Sequence, residues 1–292
     1  MWTTFAAEDG RTLSYQTRGE GPLVICVPGG PGLDPEAYFA PVDFPGFRMV
    51  VLAPRGTGLS NSPASPEGWR IGGYVDDLEQ LRVHLGLERM TLYGSSHGGS
   101  VVLAYACRFS ERVERFIVTS APLRLDDAYQ KAADEQERRF VAAVADGASR
   151  LAASKEASAQ LGAPMDEPTF TRVVRLHFSR YVAEQGPAET AFLDRLCAAP
   201  VNAAGVPIMG QELSDPQFSL LAGAERVTAP ALVLGGELDV TTPPEHPRET
   251  ADTLPNAQYV QFAGAGHFPE VEAQALFRKT VSDFLSAGLP LP

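Results

Sequence analysis

The 292-residue chain has little cysteine, a shortage of basic charge and no long apolar run. Its three cysteines, Cys26, Cys107 and Cys197, are odd in number and far apart, so no disulfide framework is expected. Cys26 and Cys107 fall in apolar segments and read as buried free thiols, which suits a reducing cytoplasm. Lys and Arg together number 24 against 36 Asp and Glu, a formal net charge of -12. Such a surface repels phosphate backbones and anionic lipid, which argues against nucleic acid or a membrane as partner. No stretch approaches the roughly 18 apolar residues of a spanning helix. The opening Met1-Trp2-Thr3-Thr4-Phe5 lacks the basic-then-apolar pattern of a secretory signal. There is no repeat, no zinc-type ligand spacing and no nucleotide-binding glycine fingerprint opening a helix. No metal and no cofactor are therefore expected.

What is present is an ordinary globular balance, 44% hydrophobic and 21% charged, over a length that suits a core with an inserted subdomain. Short strand candidates at Phe5 to Glu8 and Thr12 to Thr17 flank the turn signal Asp9-Gly10. Leu23 to Val27 and Arg48 to Leu52 are short apolar runs bounded by Gly and Pro, the pattern of strands buried on both faces. Tyr74, Leu78, Leu81 and Leu85 recur at helical spacing before Gly86. Met90 to Tyr93 reads as a strand, Ser96 to Phe109 as a helix apolar nearly all round, and Phe116 to Thr119 as the next strand. From about Asp126 to Ala199 only helices are read, and Pro200 to Pro216 looks irregular. Strands resume at Ala231 to Leu234 and Gln258 to Phe262. A last helix carries Phe277, Val281, Phe284 and Leu285 on one face. The expectation is an α/β core (1–122 and 227–292) with a mostly parallel sheet flanked by helices, interrupted by a helical cap at 123–226.

Gly94-Ser95-Ser96-His97-Gly98 lies between a strand and a helix and matches the Gly-x-Ser-x-Gly nucleophile elbow. The turn is so tight that the residues two before and two after the nucleophile must lack side chains. That selects Ser96 over Ser95. A serine needs a base held by a carboxylate. After the strand Ala231 to Leu234 come Glu237 and Asp239, of which Asp239 is the preferred acid and Glu237 its competitor. After Gln258 to Phe262 comes Gly264-Ala265-Gly266-His267, whose histidine is the base. The backbone N–H groups of Gly30 and His97 are the candidate oxyanion donors. His84 is expected at the surface, His246 on a surface turn, and His177 on a packed helix face or against substrate.

Gly29-Gly30-Pro31-Gly32, Arg55-Gly56-Thr57-Gly58-Leu59-Ser60, the elbow, Gly236-Glu237-Leu238-Asp239 and Gly264 to His267 together resemble α/β-hydrolases of the proline iminopeptidase type. The resemblance covers the core but not the insert. It departs at Pro28, at Ala53-Pro54, and at Ser95 and His97 around the nucleophile. It implies a serine hydrolase acting through an acyl-enzyme on a small amide, an ester or a short peptide. An aminopeptidase of this type holds the substrate ammonium with glutamates of the cap. Glu184, Glu189 and Glu212 are available, and Glu212 is the preferred one. An esterase or lactonase, carbon–carbon bond hydrolysis by the same triad, and a ligand-binding protein with little turnover are the alternatives.

Overall fold

Residues of high β propensity, in runs too short for a helix, set the centre of the molecule. The computed structural model describes residues 1–161 and 167–287. Eight strands form one sheet: β1 (Trp2–Ala6), β2 (Thr12–Arg18), β3 (Leu23–Val27), β4 (Arg48–Ala53), β5 (Met90–Ser95), β6 (Val113–Thr119), β7 (Ala231–Gly236) and β8 (Ala257–Phe262). Their order is β1-β2-β4-β3-β5-β6-β7-β8. β1 and β2 pair antiparallel and β2 joins β4 antiparallel, while every other pairing is parallel. The central strands β3, β5, β6 and β7 are buried along nearly their whole length, as two-sided coverage requires.

Eleven α-helices are described: α1 (Pro35–Phe39), α2 (Ile71–His84), α3 (His97–Arg108), α4 (Asp127–Ala143), α5 (Gly147–Gln160), α6 (Glu167–Phe178), α7 (Pro187–Ala198), α8 (Val206–Leu213), α9 (Glu245–Thr253), α10 (Pro269–Glu272) and α11 (Gln274–Ser286). The strand period of two divides the core. Ile25 and Val27 turn to the face covered by Leu78 and Leu81 of α2 and Val101 and Val102 of α3. Val24 and Cys26 turn to the face covered by Phe39 of α1 and Phe277 and Val281 of α11. α3 is buried on nearly all sides, and α11 buries the apolar stripe read from its spacing. All three cysteines are free and buried. No described helix is long and apolar enough to cross a membrane.

Three stretches differ from the sequence expectation for one reason, proline. Pro200 to Pro216 contains α8, whose Pro207 sits in the first turn where its missing N–H is no loss. His246 is not on a surface turn: it lies in α9 and is buried, its Nδ1 accepting the Leu123 N–H at 3.3 Å. α1 begins at Pro35 after Asp34, whose side chain accepts the Ala37 N–H at 2.8 Å. His84 is exposed, as expected, and stacks on Phe5.

The register aligns the strand ends that matter. Val27 faces Gly94, Ser95 faces Thr119, and Gly236 faces Phe262. The loops after β3, β5, β7 and β8 therefore leave one edge of the sheet, the edge where open α/β sheets place their ligands. Helices α4 to α8 all lie in the chain between β6 and β7.

Candidate active site

The passage from β5 to α3 is as tight as the glycine spacing demands. Ser96 has φ 55° and ψ -126°, a conformation rarely tolerated by a residue with a Cβ. Its N–H is held by the Thr119 carbonyl at 2.8 Å. A Cβ on Gly94 would lie 2.2 Å from the Gly98 carbonyl oxygen, and one on Gly98 would lie 2.1 Å from that of Val27. Only glycine fits at either place. Ser96 remains partly exposed, whereas Ser95 is fully buried.

Asp239 and His267 meet. His267 Nδ1 is 2.8 Å from Asp239 Oδ2, and both side chains are 1% exposed. The other carboxylate oxygen, Oδ1, accepts the backbone N–H groups of Thr241 and Thr242, each at 2.8 Å. These bonds fix the carboxylate plane, so that Nδ1 is the protonated nitrogen and Nε2 the free one. Glu237 is spent elsewhere, its carboxylate accepting the Gly264 N–H at 2.8 Å. His267 Nε2 is buried without a hydrogen-bond partner among the described residues. The Ser96–His267 link is thus open in this structure, a condition common before substrate tightens a site.

The imidazole is also clamped from the insert, which the sequence did not reveal. The Tyr181 carbonyl accepts the His267 N–H at 2.6 Å, and the Tyr181 ring stands edge-on to the imidazole at 5.1 Å. Glu272 accepts N–H groups from Gly266 at 2.9 Å and Phe268 at 3.2 Å in the histidine loop, and from Ala183 at 2.6 Å in the insert. Burial pushes Glu272 up to about 8 against the pull of these donors. Arg150 of α5, itself buried, donates to the carbonyls of Ser179, Val182 and Ala183 and so gathers the 179–183 strap. The one available signal was a pair of glutamates among apolar neighbours in Phe268-Pro269-Glu270-Val271-Glu272.

One candidate oxyanion donor, His97, directly follows Ser96, and the other, Gly30, lies on the loop after the neighbouring strand β3. Gly30 has φ +134° in the loop after β3, and His97 opens α3. No described group accepts the N–H of either residue. The His97 side chain is buried edge-on to Tyr74, and burial pushes it down to about 3. His177 joins Ser158 Oγ at 2.8 Å and Tyr181 Oη at 3.3 Å, and the Tyr181 ring in turn stands against His267. Glu212 stands apart from this centre: its Oε2 accepts the Ile71 N–H at 2.8 Å, capping α2, and its Oε1 is 3.9 Å from Arg70. No group of three or more His, Cys, Asp or Glu among the described residues is arranged to hold a metal.

The chain and its fold have known counterparts. A proline iminopeptidase of Clostridium botulinum is 27% identical over 284 residues, covering 94% of this chain and 93% of its own. The solved structure of a Mycobacterium smegmatis proline iminopeptidase superposes with a TM-score of 0.73 at 22% identity, covering 98% of each chain. An esterase from Exiguobacterium antarcticum gives a TM-score of 0.74 at 18% identity, covering 98% of this chain and all of its own. Residues 22–273 match the α/β-hydrolase fold family, and the chain belongs to it.

Proposed function

We propose that this α/β-hydrolase cleaves a small acyl compound through an acyl-enzyme on Ser96. The observation that carries the reading is the buried Asp239–His267 pair, 2.8 Å apart, on the sheet edge that also bears the strained Ser96. His267 Nε2 takes the Ser96 Oγ proton as Oγ bonds to the substrate carbonyl carbon. The carbonyl oxygen becomes an oxyanion facing the N–H groups of Gly30 and His97, reinforced by the N-terminal dipole of α3. The bond to the leaving group then breaks, and Nε2 returns the proton to that group. Water repeats the cycle: Nε2 takes its proton, its oxygen bonds to the acyl carbon, and Ser96 Oγ leaves protonated. Asp239 holds the tautomer and offsets the imidazolium charge.

Residues 123–226 serve as the lid in this reading, and 1–122 with 227–292 as the core. Tyr181 and Ala183 join the two against the histidine loop. Such a lid limits substrates to short ones.

The similarity to proline iminopeptidases favours an amide with a free N-terminal amine, but one observation favours an ester. An ammonium group needs a carboxylate free to receive it. Glu212 already caps α2, Glu184 is exposed, and Glu189 folds back over Gly186 in the first turn of α7. The reading adopted is therefore a hydrolase of small esters or lactones that acts on short N-terminal amides less well. The test compares an alanyl anilide, its N-acetyl form and a short-chain aryl ester. We expect the ester to be turned over fastest and acetylation to be tolerated. Cleavage confined to the unacetylated anilide would restore the aminopeptidase assignment.

A further inference from the structure

The loops that bear the proposed oxyanion donor, nucleophile and base are joined beneath the site by one buried hydrogen-bonded chain. Tyr38, on α1 directly after the Gly29–Gly32 loop, donates its hydroxyl to Ser95 Oγ at 2.9 Å. Ser95, next to the nucleophile, donates its own hydroxyl to Glu270 Oε1 at 2.9 Å. Glu270, on α10, is three residues beyond His267. Exposure is 1% for Tyr38, 0% for Ser95 and 1% for Glu270, so water does not compete for these bonds.

Each link fits its place. Asp34 and Pro35 fix the start of α1 and so the direction of Tyr38. The Tyr38 hydroxyl presses against the oxyanion loop: a Cβ on Gly29 would lie 2.6 Å from it. Phe268, beside His267, and Phe192 of the insert wall the Tyr38 ring. A carboxyl group is costly in such a place. Its Oε2 has no hydrogen-bond partner among the described residues, and burial pushes Glu270 up to about 7. A side chain chosen for stability alone would be apolar here, so the cost calls for a return in function.

We propose that Glu270 is a positioning residue for acyl transfer. Through Ser95 and Tyr38 it holds the oxyanion loop, the elbow and the histidine loop in mutual register. The inference rests on the acyl-enzyme reading above. It requires an acceptor at Oε1, not a negative charge. A positioning defect of about an ångström slows the chemical step far more than it weakens binding.

The test uses a fluorophosphonate probe, whose rate of reaction at Ser96 needs no knowledge of the natural substrate. Turnover of p-nitrophenyl acetate and a thermal midpoint are measured beside it. Glu270→Leu and Ser95→Ala should each lower the labelling rate and kcat about tenfold while KM stays within about twofold. Their double variant should be no slower than about twofold below either single, because both cut one chain. Glu270→Gln, which keeps the acceptor, should remain within about threefold of wild type. Should Glu270→Leu fail to fold, Tyr38→Phe and Ser95→Ala carry the same comparison. Folded variants that label at the wild-type rate, or losses that multiply in the double variant, would overturn the positioning role while leaving the acyl-enzyme reading intact. A wild-type protein that the probe does not label at Ser96 would overturn both.

Discussion

The sheet edge and the helical insert reach the same histidine by opposite means. The edge is built from apolar strands whose register aligns their ends, and from glycines that admit no other residue. The insert packs Val182 and Phe192 into the apolar core and adds directed polar contacts: the Tyr181 carbonyl on the His267 N–H, the Ala183 N–H on Glu272, and Arg150 gathering the strap. Hydrophobic burial is non-directional and tolerates repacking, whereas hydrogen bonds fix position and fail individually. The edge should therefore fail as a unit and the insert piece by piece.

The largest effects belong to the edge. Ser96→Ala, His267→Ala and Asp239→Asn should each remove about 10⁴-fold or more of kcat on an activated ester, and any double variant should be little worse than a single one. Steady-state kinetics on the folded variants check this. Independent, multiplying losses would mean that the three do not act together. Gly98→Ala comes next. Its Cβ would sit 2.1 Å from the Val27 carbonyl oxygen, so β3 and α3 must separate. Destabilisation of about 3 kcal/mol by denaturant titration is expected, with activity lost in proportion to the displaced elbow.

The insert should respond more mildly. Arg150→Met removes the guanidinium donor from the carbonyls of Ser179, Val182 and Ala183 while keeping the aliphatic stem. Overall stability should fall by about 2 kcal/mol, with faster amide exchange at His267, whose N–H depends on the strap. An exchange rate at His267 unchanged from wild type would show that the strap is held by something other than Arg150.

The last expected effect is a pH dependence. Burial pushes Glu270 from the ordinary 4.5 up to about 7. Tyr38, Tyr93, Ser95, Asp239 and His267 surround it, and Asp239 adds to the upward push while His267 and the Ser95 hydroxyl oppose it. The native state thus keeps a proton that the unfolded chain releases. Its stabilising effect is fully present below pH 4.5 and is lost as pH rises towards 7. Glu270→Gln lacks this loss. The stability difference between the variant and wild type should widen steadily across that window and then level off. Urea titrations at several pH values measure it, and a flat difference would place the carboxyl's ionisation outside the window.

The same contrast explains what was legible in the sequence. Short apolar runs bounded by Gly and Pro marked β3 to β7, and the order of loops after them brought Asp239 and His267 into one neighbourhood. Local steric rules selected Ser96 over Ser95 because glycine spacing is a property of adjacent residues. α8 and α9 were obscured by prolines that stop a helix in its interior but suit its first turn. The roles of Glu270, Glu272, Tyr181 and Arg150 could not be read for a different reason. Their partners are contributed by distant segments, Ser95 for Glu270 and the 179–183 strap for Arg150, and no local pattern encodes such pairs. Glu212 shows the converse: its position near an irregular segment suggested a ligand, whereas its oxygen caps α2.

The most direct test of the central claim is to trap the acyl group. The protein is mixed with p-nitrophenyl acetate, quenched in acid within the first turnover, and its intact mass and peptides are measured. The account predicts one added acetyl group per chain, carried by the peptide containing Ser96 and absent in Ser96→Ala. An acetyl group on another residue, or turnover with no covalent adduct that continues unchanged in Ser96→Ala, would contradict it.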